Sequence, residues 1–176
     1  MSVAGNVAPG FEPVRRAFAR IVGRGPGGGA FAVQVRGKTV VDLWTGFADR
    51  VGARPWTPDT LAISFSTTKG VASTVIHRLA ARGDLDYDEP VASYWPEFGV
   101  GGKDRVTVWH LLTHRAGLHS IRAVAERAED LLDHVAMEDK LAARAVRAPT
   151  TRSAYHAITY GWLLAGLARR ITGCAT

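Results

Sequence analysis

A serine and a lysine three positions apart are the residues of this chain whose types and spacing most directly suggest covalent chemistry. Residues 63–70 read ISFSTTKG, in which Lys69 comes three positions after Ser66. Positions i and i+3 of a helix share a face, so the lysine amine can reach the serine hydroxyl. A lysine can accept the hydroxyl proton only if its pKa falls well below about 10.4. We therefore treat Ser66 and Lys69 as a candidate nucleophile and base.

Tyr155 is the candidate for a third proton-transfer group. It lies in the stretch RSAYHA, directly before an apolar helical pattern, where a phenol can project into a cleft. Its ordinary pKa of about 10 would have to be lowered by Lys69 before the phenolate could act as a base. A purely structural interpretation also fits, with Ser66 as a helix cap, Lys69 solvated and Tyr155 packed. The S-x-x-K pattern is too loose to choose between the two interpretations by itself.

Three side chains close to Tyr155 in the sequence are candidates for binding substrate. His156 is a second titratable group beside the phenol, while Tyr160 and Trp162 are placed to border an acyl pocket. A competing site is the pair His110 and His114, whose i, i+4 spacing is that of zinc ligands on a helix. No glutamate follows the first histidine, so we interpret the pair as packing or hydrogen-bonding groups. We predict no metal and no cofactor.

The elements that must position these residues follow from periodicity and turn signals. An amphipathic helix is predicted over residues 11–22, and strands over 30–35 and 39–44 form a hairpin across the connection 36–38. The Ser66 helix should end at Gly83. Beyond it we predict a helical turn within 91–98 stopped by Pro96, a helix over 108–113 capped by Thr107, two helices within 120–147, and a last helix over 158–171. The 120–147 helices should break near Asp133, and Gly173 should end the last one.

Composition narrows the classes of function. A chain of 176 residues with 47% hydrophobic content can bury a real core, and its net charge of +6 comes mostly from scattered arginines. We therefore predict no nucleic-acid partner. Cys174 is the single cysteine, and no apolar run has the length of a signal peptide core or a membrane span. We expect a cytoplasmic protein that acts on a small molecule; the sequence does not indicate its oligomeric state.

Four separated blocks, taken together, resemble one known superfamily. In chain order they are SFSTTKG, GDLDYDEPVASYWPEF, VTVWHLLTHRAGL and TRSAYHAITYGWLLAGLARRITG. They resemble the serine β-lactamases and penicillin-binding proteins, and among these the class C-related esterases often called family VIII carboxylesterases, over about residues 10–173. The resemblance implies an α/β fold of the α+β type, an antiparallel sheet with a large helical subdomain. It also implies that Ser66 is acylated, that Lys69 activates it, and that Tyr155 is the tyrosine of a Y-x-N or Y-x-x motif.

The chain departs from the family pattern in two places. Ala157 stands where lactamases of the family carry an asparagine, which favours esters over β-lactams. No K-T-G-like or H-x-G-like motif, which lines the pocket in the family, occurs before Thr176. We therefore expect one incomplete domain whose later strands are missing, with helix and hairpin in residues 1–65 and the nucleophile helix and helical subdomain in 66–176.

The leading hypothesis is a serine hydrolase that cleaves small carboxylic esters through an acyl-enzyme on Ser66, with Lys69 and Tyr155 as proton-transfer partners. One alternative is a catalytically incomplete fragment or degenerate homologue with a binding role or no independent function. A second alternative is β-lactamase or D-Ala peptidase activity.

Overall fold

The computed structural model describes residues 2–174 and divides into two compact units between Ile63 and Ser64. We call residues 2–63 the sheet unit and residues 64–174 the helical unit. Within residues 2–174, none of the helices combines the length and the apolar character needed to cross a bilayer.

The sheet unit is built on three antiparallel strands and one helix. Strand β1 covers Ala4–Val7, β2 covers Gly28–Val35 and β3 covers Lys38–Gly46, in the spatial order β1-β3-β2. Helix α1, Glu12–Val22, connects β1 to β2 and packs on β2 and β3. The central strand alternates as a half-buried strand should, with Val41, Leu43 and Thr45 buried on one face.

The predicted hairpin is present, but its turn is tighter than expected. Lys38 pairs with Val35, which leaves only Arg36 and Gly37 in the turn. Both residues have positive φ, 50° and 77°, as a type I′ turn, the common two-residue hairpin connection, requires. A glycine in the second position allows this at no steric cost, and the turn twists the two strands in the direction that pairing needs.

The two predicted strands do not make up the whole sheet, because β1 adds a third strand that the sequence does not indicate. Its four residues include a single β-branched residue, Val7, so local propensity is weak. Gly5 has φ +95°, and a Cβ there would lie 2.0 Å from the carbonyl oxygen of Asp42. The strand therefore forms through close backbone approach to β3, which no local pattern reveals.

The helical unit contains four α-helices linked by short 3₁₀ turns. A 3₁₀ turn, Phe65–Thr67, leads into α2, Thr68–Ala81. The other helices are α3, Val108–Leu112, α4, His134–Ala143, and α5, Tyr160–Thr172. Helix α5 packs against both α2 and α4, and its Leu163, Leu164 and Leu167 are buried in the core. Most of the buried apolar side chains of this unit belong to that single cluster around α5.

Two predicted helix ends are confirmed by their caps. The Thr107 hydroxyl accepts from the backbone N–H of His110, which begins α3 as predicted. Gly173 takes the left-handed conformation at φ +68°, and its N–H bonds to the carbonyl of Arg169, which ends α5. Caps of this kind depend on a few adjacent residues, so a sequence pattern is sufficient to place them.

The first of the two helices predicted within residues 120–147 is absent. The structure has 3₁₀ turns at Ile121–Ala123 and Ala128–Leu132 instead. The Asp130 carboxylate accepts from the backbone N–H groups of Glu126 and Arg127, which offers that backbone an alternative to helical bonding. The predicted break is correct, because Asp133 caps the start of α4.

Pro96 does not simply stop a helical turn. It begins a second 3₁₀ turn, Pro96–Gly99, after a first at Val91–Ser93. A proline suits the first position of a helical turn, where its missing N–H costs nothing.

A buried charged cluster joins α4 to α5. The Glu138 side chain is fully buried, and its Oε2 accepts from Arg169 Nε at 3.0 Å and from Arg170 Nη1 at 3.0 Å. The Arg170 guanidinium also lies 4.4 Å from the centre of the Trp95 ring. Because a buried charge is tolerated only when it is paired, this cluster fixes how α5 lies on α4. Helix α5 in turn carries Tyr160, which lies behind the candidate site.

Candidate active site

Ser66 and Lys69 lie together at the start of α2. Ser66 is in the 3₁₀ turn that leads into the helix, and Lys69 is in its first turn. The Lys69 Nζ is 3.1 Å from the Ser66 Oγ. Phe65, directly before the serine, has φ +45°, a left-handed conformation that costs a bulky residue roughly 1–2 kcal/mol. The chain therefore reaches the serine through a sharp, strained turn.

The loop 153–157 supplies the second wall of the site. Lys69 Nζ donates to the main-chain carbonyl of Ala157 at 2.7 Å, and it lies 5.0 Å from the centre of the Tyr155 ring. Ala157 stands where the resemblance places asparagine in lactamases, and it contacts the lysine through its backbone oxygen. This bond orients the amine between the serine hydroxyl and the phenol.

The Tyr155 side chain faces solvent, and its phenol interacts with Ser66 and Lys69. It is 55% exposed. Interaction with the Ser66 hydroxyl, and next with the Lys69 amine, lowers the pKa of the Tyr155 phenol below its ordinary value. The direction is the one required of a tyrosine that takes up a proton during catalysis.

Lys69 is supported from behind by a serine that sequence reasoning missed. Ser73 Oγ donates to the Lys69 carbonyl at 2.7 Å and lies 2.9 Å from the Tyr160 hydroxyl. Because the Ser73 proton goes to the carbonyl, the Tyr160 hydroxyl donates to Ser73. The bond links α5 to α2 one turn beyond Lys69. The i, i+4 spacing of Lys69 and Ser73 is the sequence feature that could have identified Ser73 as a neighbour of the lysine.

His156 is a buried, neutral structural histidine. Only 1% of its surface is exposed, and the backbone N–H of Leu118 donates to its Nε2 at 3.1 Å. Its Nδ1–H therefore donates to the Ala154 carbonyl at 2.7 Å. Burial lowers the pKa of His156 to about 4, so the ring stays uncharged at neutral pH.

The structure places the three residues predicted to bind substrate in the protein interior. His156, Tyr160 and Trp162 are all buried, and the polar atoms of His156 and Tyr160 are hydrogen-bonded within the protein. Trp162 belongs to the core cluster. Their burial argues against direct contact with a substrate, and we assign them instead to the support of α5 and of the loop that carries Tyr155.

The two histidines considered as zinc ligands do not share a helix face. Helix α3 ends at Leu112, and His114 has φ +60°, which turns the chain away. His110 Nδ1 accepts from the backbone N–H of Thr107, whereas His114 packs on Tyr155. Across residues 2–174, no three His, Cys, Asp or Glu side chains are grouped so that they could hold a metal ion.

His114 is the second residue that sequence reasoning missed at this site. Its ring lies edge-on to Tyr155, with the ring centres 4.9 Å apart, and its carbonyl and Nδ1 both accept from the Tyr155 loop. No sequence signal marks these contacts, because they depend on the left-handed backbone at His114.

Comparison with known proteins identifies the family to which the chain belongs. The family model described as Beta-lactamase matches residues 14–176. The esterase/beta-lactamase LipL of Mycobacterium tuberculosis is 52% identical over 172 residues, which cover 97% of this chain and 40% of LipL. The chain thus spans well under half the length of this curated relative.

Solved structures agree on the fold. A family VIII carboxylesterase superposes with a TM-score of 0.89 at 42% identity, over 98% of this chain and 47% of that protein. A penicillin-binding protein homologue from Caulobacter crescentus gives 0.90 at 43% identity, over 99% and 47%. The expected α+β architecture, a small antiparallel sheet with several helices, is confirmed. The chain belongs to the beta-lactamase family and has the β-lactamase/transpeptidase-like fold.

Proposed function

We propose that this chain carries the acylation site of a serine hydrolase that cleaves small carboxylic esters. The observation that carries the proposal is the position of Lys69 Nζ, which contacts Ser66 Oγ at 3.1 Å and Ala157 O at 2.7 Å beneath the Tyr155 ring. The names of LipL, an esterase/beta-lactamase, and of the similar family VIII carboxylesterase support the same class of reaction.

The proposed reaction has two halves. The Ser66 Oγ attacks the ester carbonyl carbon while its proton passes to Lys69 or to the Tyr155 phenolate. The tetrahedral intermediate collapses, the ester C–O bond breaks, and the alkoxide leaves as an alcohol after it takes up that proton. Water then attacks the acyl carbonyl and gives one of its own protons to Lys69 or to the Tyr155 phenolate. The bond between the acyl carbon and the Ser66 oxygen breaks, the carboxylic acid leaves, and that proton restores the Ser66 hydroxyl.

Esters are the preferred substrate class because of the residue at position 157. Ala157 has no side-chain amide that could contact the amide group of a β-lactam, and its carbonyl oxygen is already bonded to Lys69. Since an unmatched polar group on a ligand costs binding free energy, β-lactams should be the poorer substrates.

The direct test is covalent labelling of Ser66. A fluorophosphonate probe followed by mass spectrometry should place one adduct on Ser66, and p-nitrophenyl acetate should be turned over. Ser66→Ala should lose both, with hydrolysis reduced on the order of 10⁴-fold or more. The matched control is Ser64→Ala, which changes an exposed serine two residues earlier. This variant should still be labelled at Ser66. A folded chain without a Ser66 adduct would rule the proposal out.

The alternative of an incomplete, non-catalytic chain rests on the exposure around the site. Phe65 is 79% and Val71 68% exposed, so two large apolar side chains beside the candidate nucleophile face solvent. Cooperative unfolding together with ester turnover would exclude this alternative, whereas a folded chain that neither turns over esters nor labels would support it. Nitrocefin hydrolysis faster than ester hydrolysis would instead support the β-lactamase alternative.

A further inference from the structure

His114 contacts the peptide groups on both sides of Tyr155. Its carbonyl oxygen accepts from the N–H of Ala154 at 3.0 Å, and its Nδ1 accepts from the N–H of His156 at 3.2 Å. One residue therefore holds the N–H groups of the residues that precede and follow the tyrosine. His114 has a left-handed backbone conformation, φ +60°, two positions after the end of α3.

The His114 ring also packs against the aromatic groups around the site. Its centre lies 4.9 Å from that of Tyr155 and 4.7 Å from that of Tyr160 on α5. The His156 ring is stacked at 5.5 Å. The imidazole thus lies between the loop and α5 and limits the positions that the phenol ring can take.

The bonding pattern requires a neutral imidazole. Because Nδ1 accepts a hydrogen bond, it carries no proton, and the ring proton is on Nε2. The titratable groups that face His114 are Lys69 from α2, Tyr160 from α5, and Tyr155 and His156 from the loop; His119 adjoins the far side of His156, with ring centres 6.0 Å apart. Burial, and then the Lys69 charge, lower the pKa of His114, which favours this neutral form.

We propose that neutral His114 is a positioning residue for Tyr155. It clamps the N–H groups of Ala154 and His156, on either side of the tyrosine, and supports the phenol ring beside Lys69. The inference rests on the proposed function, because it assigns Tyr155 to proton transfer. His114 itself does not touch the reacting atoms. Protonation of Nδ1 would turn an acceptor into a donor facing an N–H group and would break one side of the clamp.

Two substitutions separate the clamp from the ring. His114→Asn places a side-chain oxygen near the former Nδ1 position and tolerates positive φ, so it keeps the acceptor and loses the ring. His114→Phe keeps an aromatic ring and loses the acceptor. We expect His114→Phe to slow Ser66 acylation about tenfold with little change in KM, and His114→Asn to restore most of that loss.

The decisive readout is the titration of Tyr155 itself, followed by tyrosinate absorbance and assigned by subtraction of the Tyr155→Phe spectrum. His114→Phe should raise the Tyr155 pKa toward its ordinary value of about 10, and His114→Asn should raise it less. His119→Asn is the matched control, because this exposed histidine adjoins His156 but not Tyr155. It should leave both readouts unchanged.

The outcomes distinguish this inference from the proposed function. Failure of the wild-type chain to label at Ser66 would count against the proposed function alone, since Tyr155 titration needs no turnover. The inference would be overturned if the Tyr155 pKa were unchanged in His114→Phe. It would also be overturned if His114→Asn acylated Ser66 no faster than His114→Phe does. If His114→Phe does not fold, ¹⁵N NMR of the wild-type ring decides: an Nδ1-protonated His114 at pH 7 overturns the inference, and an Nε2–H tautomer supports it.

Discussion

The exposed front of the candidate site differs sharply from the buried layer behind it. The front consists of Ser66, Lys69 and Tyr155, of which the serine and the tyrosine are exposed. The back consists of His114, His156 and Tyr160, and the last two are buried. The side chain of each back residue makes a hydrogen bond to the loop, to α2 or to the turn after α3.

The difference separates reactivity from positioning. Groups that meet a substrate must be accessible, and exposed side chains lose little conformational freedom to their surroundings. The buried layer supplies the constraint that the front lacks, because buried polar groups are held by complete hydrogen bonding. Changes at the front should therefore alter rate with little effect on stability, and changes at the back should alter both.

After the nucleophile Ser66 itself, the largest effect should come from the front residue Lys69. Lys69→Met removes the amine that contacts Ser66 Oγ and Ala157 O but keeps the length of the side chain. Loss of a general base typically costs 10²- to 10⁴-fold, so acylation measured by p-nitrophenol release should fall by roughly that factor. The melting temperature should change little, since Lys69 is only half-buried.

The matched control for this change is Lys140→Met, a lysine on α4 outside the site whose side chain contacts Asp130 at 3.8 Å. Exposed ion pairs of this kind contribute little, so both activity and stability should be retained. A strong loss of stability in Lys69→Met would show that the front is not separable from the back.

A second effect, on stability, should come from the back residue His156. Its folded pKa is about 4, below the unfolded value of about 6.5, so between these values the unfolded chain binds the extra proton. The contribution of neutral His156 is complete above about pH 6.5 and is lost as the pH falls toward 4. Between pH 7 and 4.5 this amounts to roughly 2–3 kcal/mol of unfolding free energy.

Urea unfolding at the two pH values measures this effect. His156→Gln does not titrate and keeps an acceptor for the Leu118 N–H, so its unfolding free energy should fall less than that of wild type between pH 7 and 4.5. The same pH dependence in wild type and variant would mean that His156 is not the buried neutral group that the hydrogen bonds indicate.

The smallest effect should come from the cap of the helix before His114. Thr107→Ala removes the hydroxyl that accepts from the His110 N–H and should cost about 1 kcal/mol, which for a chain of this size lowers the melting temperature by about 2–4 °C. Calorimetry measures the shift, and Thr107→Ser should show almost none of it. Acylation should slow only slightly, because the clamp on Tyr155 lies beyond the helix. An equally large shift in both variants would contradict the capping role.

Features governed by adjacent residues were predictable from the sequence. Thr107 and Gly173 bound their helices as expected because a cap is a contact across three or four positions. The hairpin was found for the same reason. Strand β1 is not predictable in this way, because it depends on backbone approach between Gly5 and Asp42. The segment containing Asp130 has a helical pattern but does not form a helix, because the hydrogen bonds of its carboxylate to the backbone leave no periodic signal in the sequence.

The candidate site likewise has contacts that follow from sequence spacing and features that depend on tertiary packing. Ser66 and Lys69 are neighbours on one helical turn, so their contact follows from spacing alone, and the sequence motifs sufficed to place the chain in its family. The burial of His156 and Tyr160 is not predictable from the sequence, because an apolar helix start does not reveal which of its faces meets the core.

The amino-acid sequence specifies which residue types can react, their order and the local turns that present them. Tertiary packing brings Ala157, 88 positions from Lys69, to the lysine amine, and it places His114 against the N–H groups of Ala154 and His156. The physical reason is range: helix spacing and caps are fixed by neighbours along the chain, whereas these contacts exist because α5 packs on α2 and α4 around a shared core.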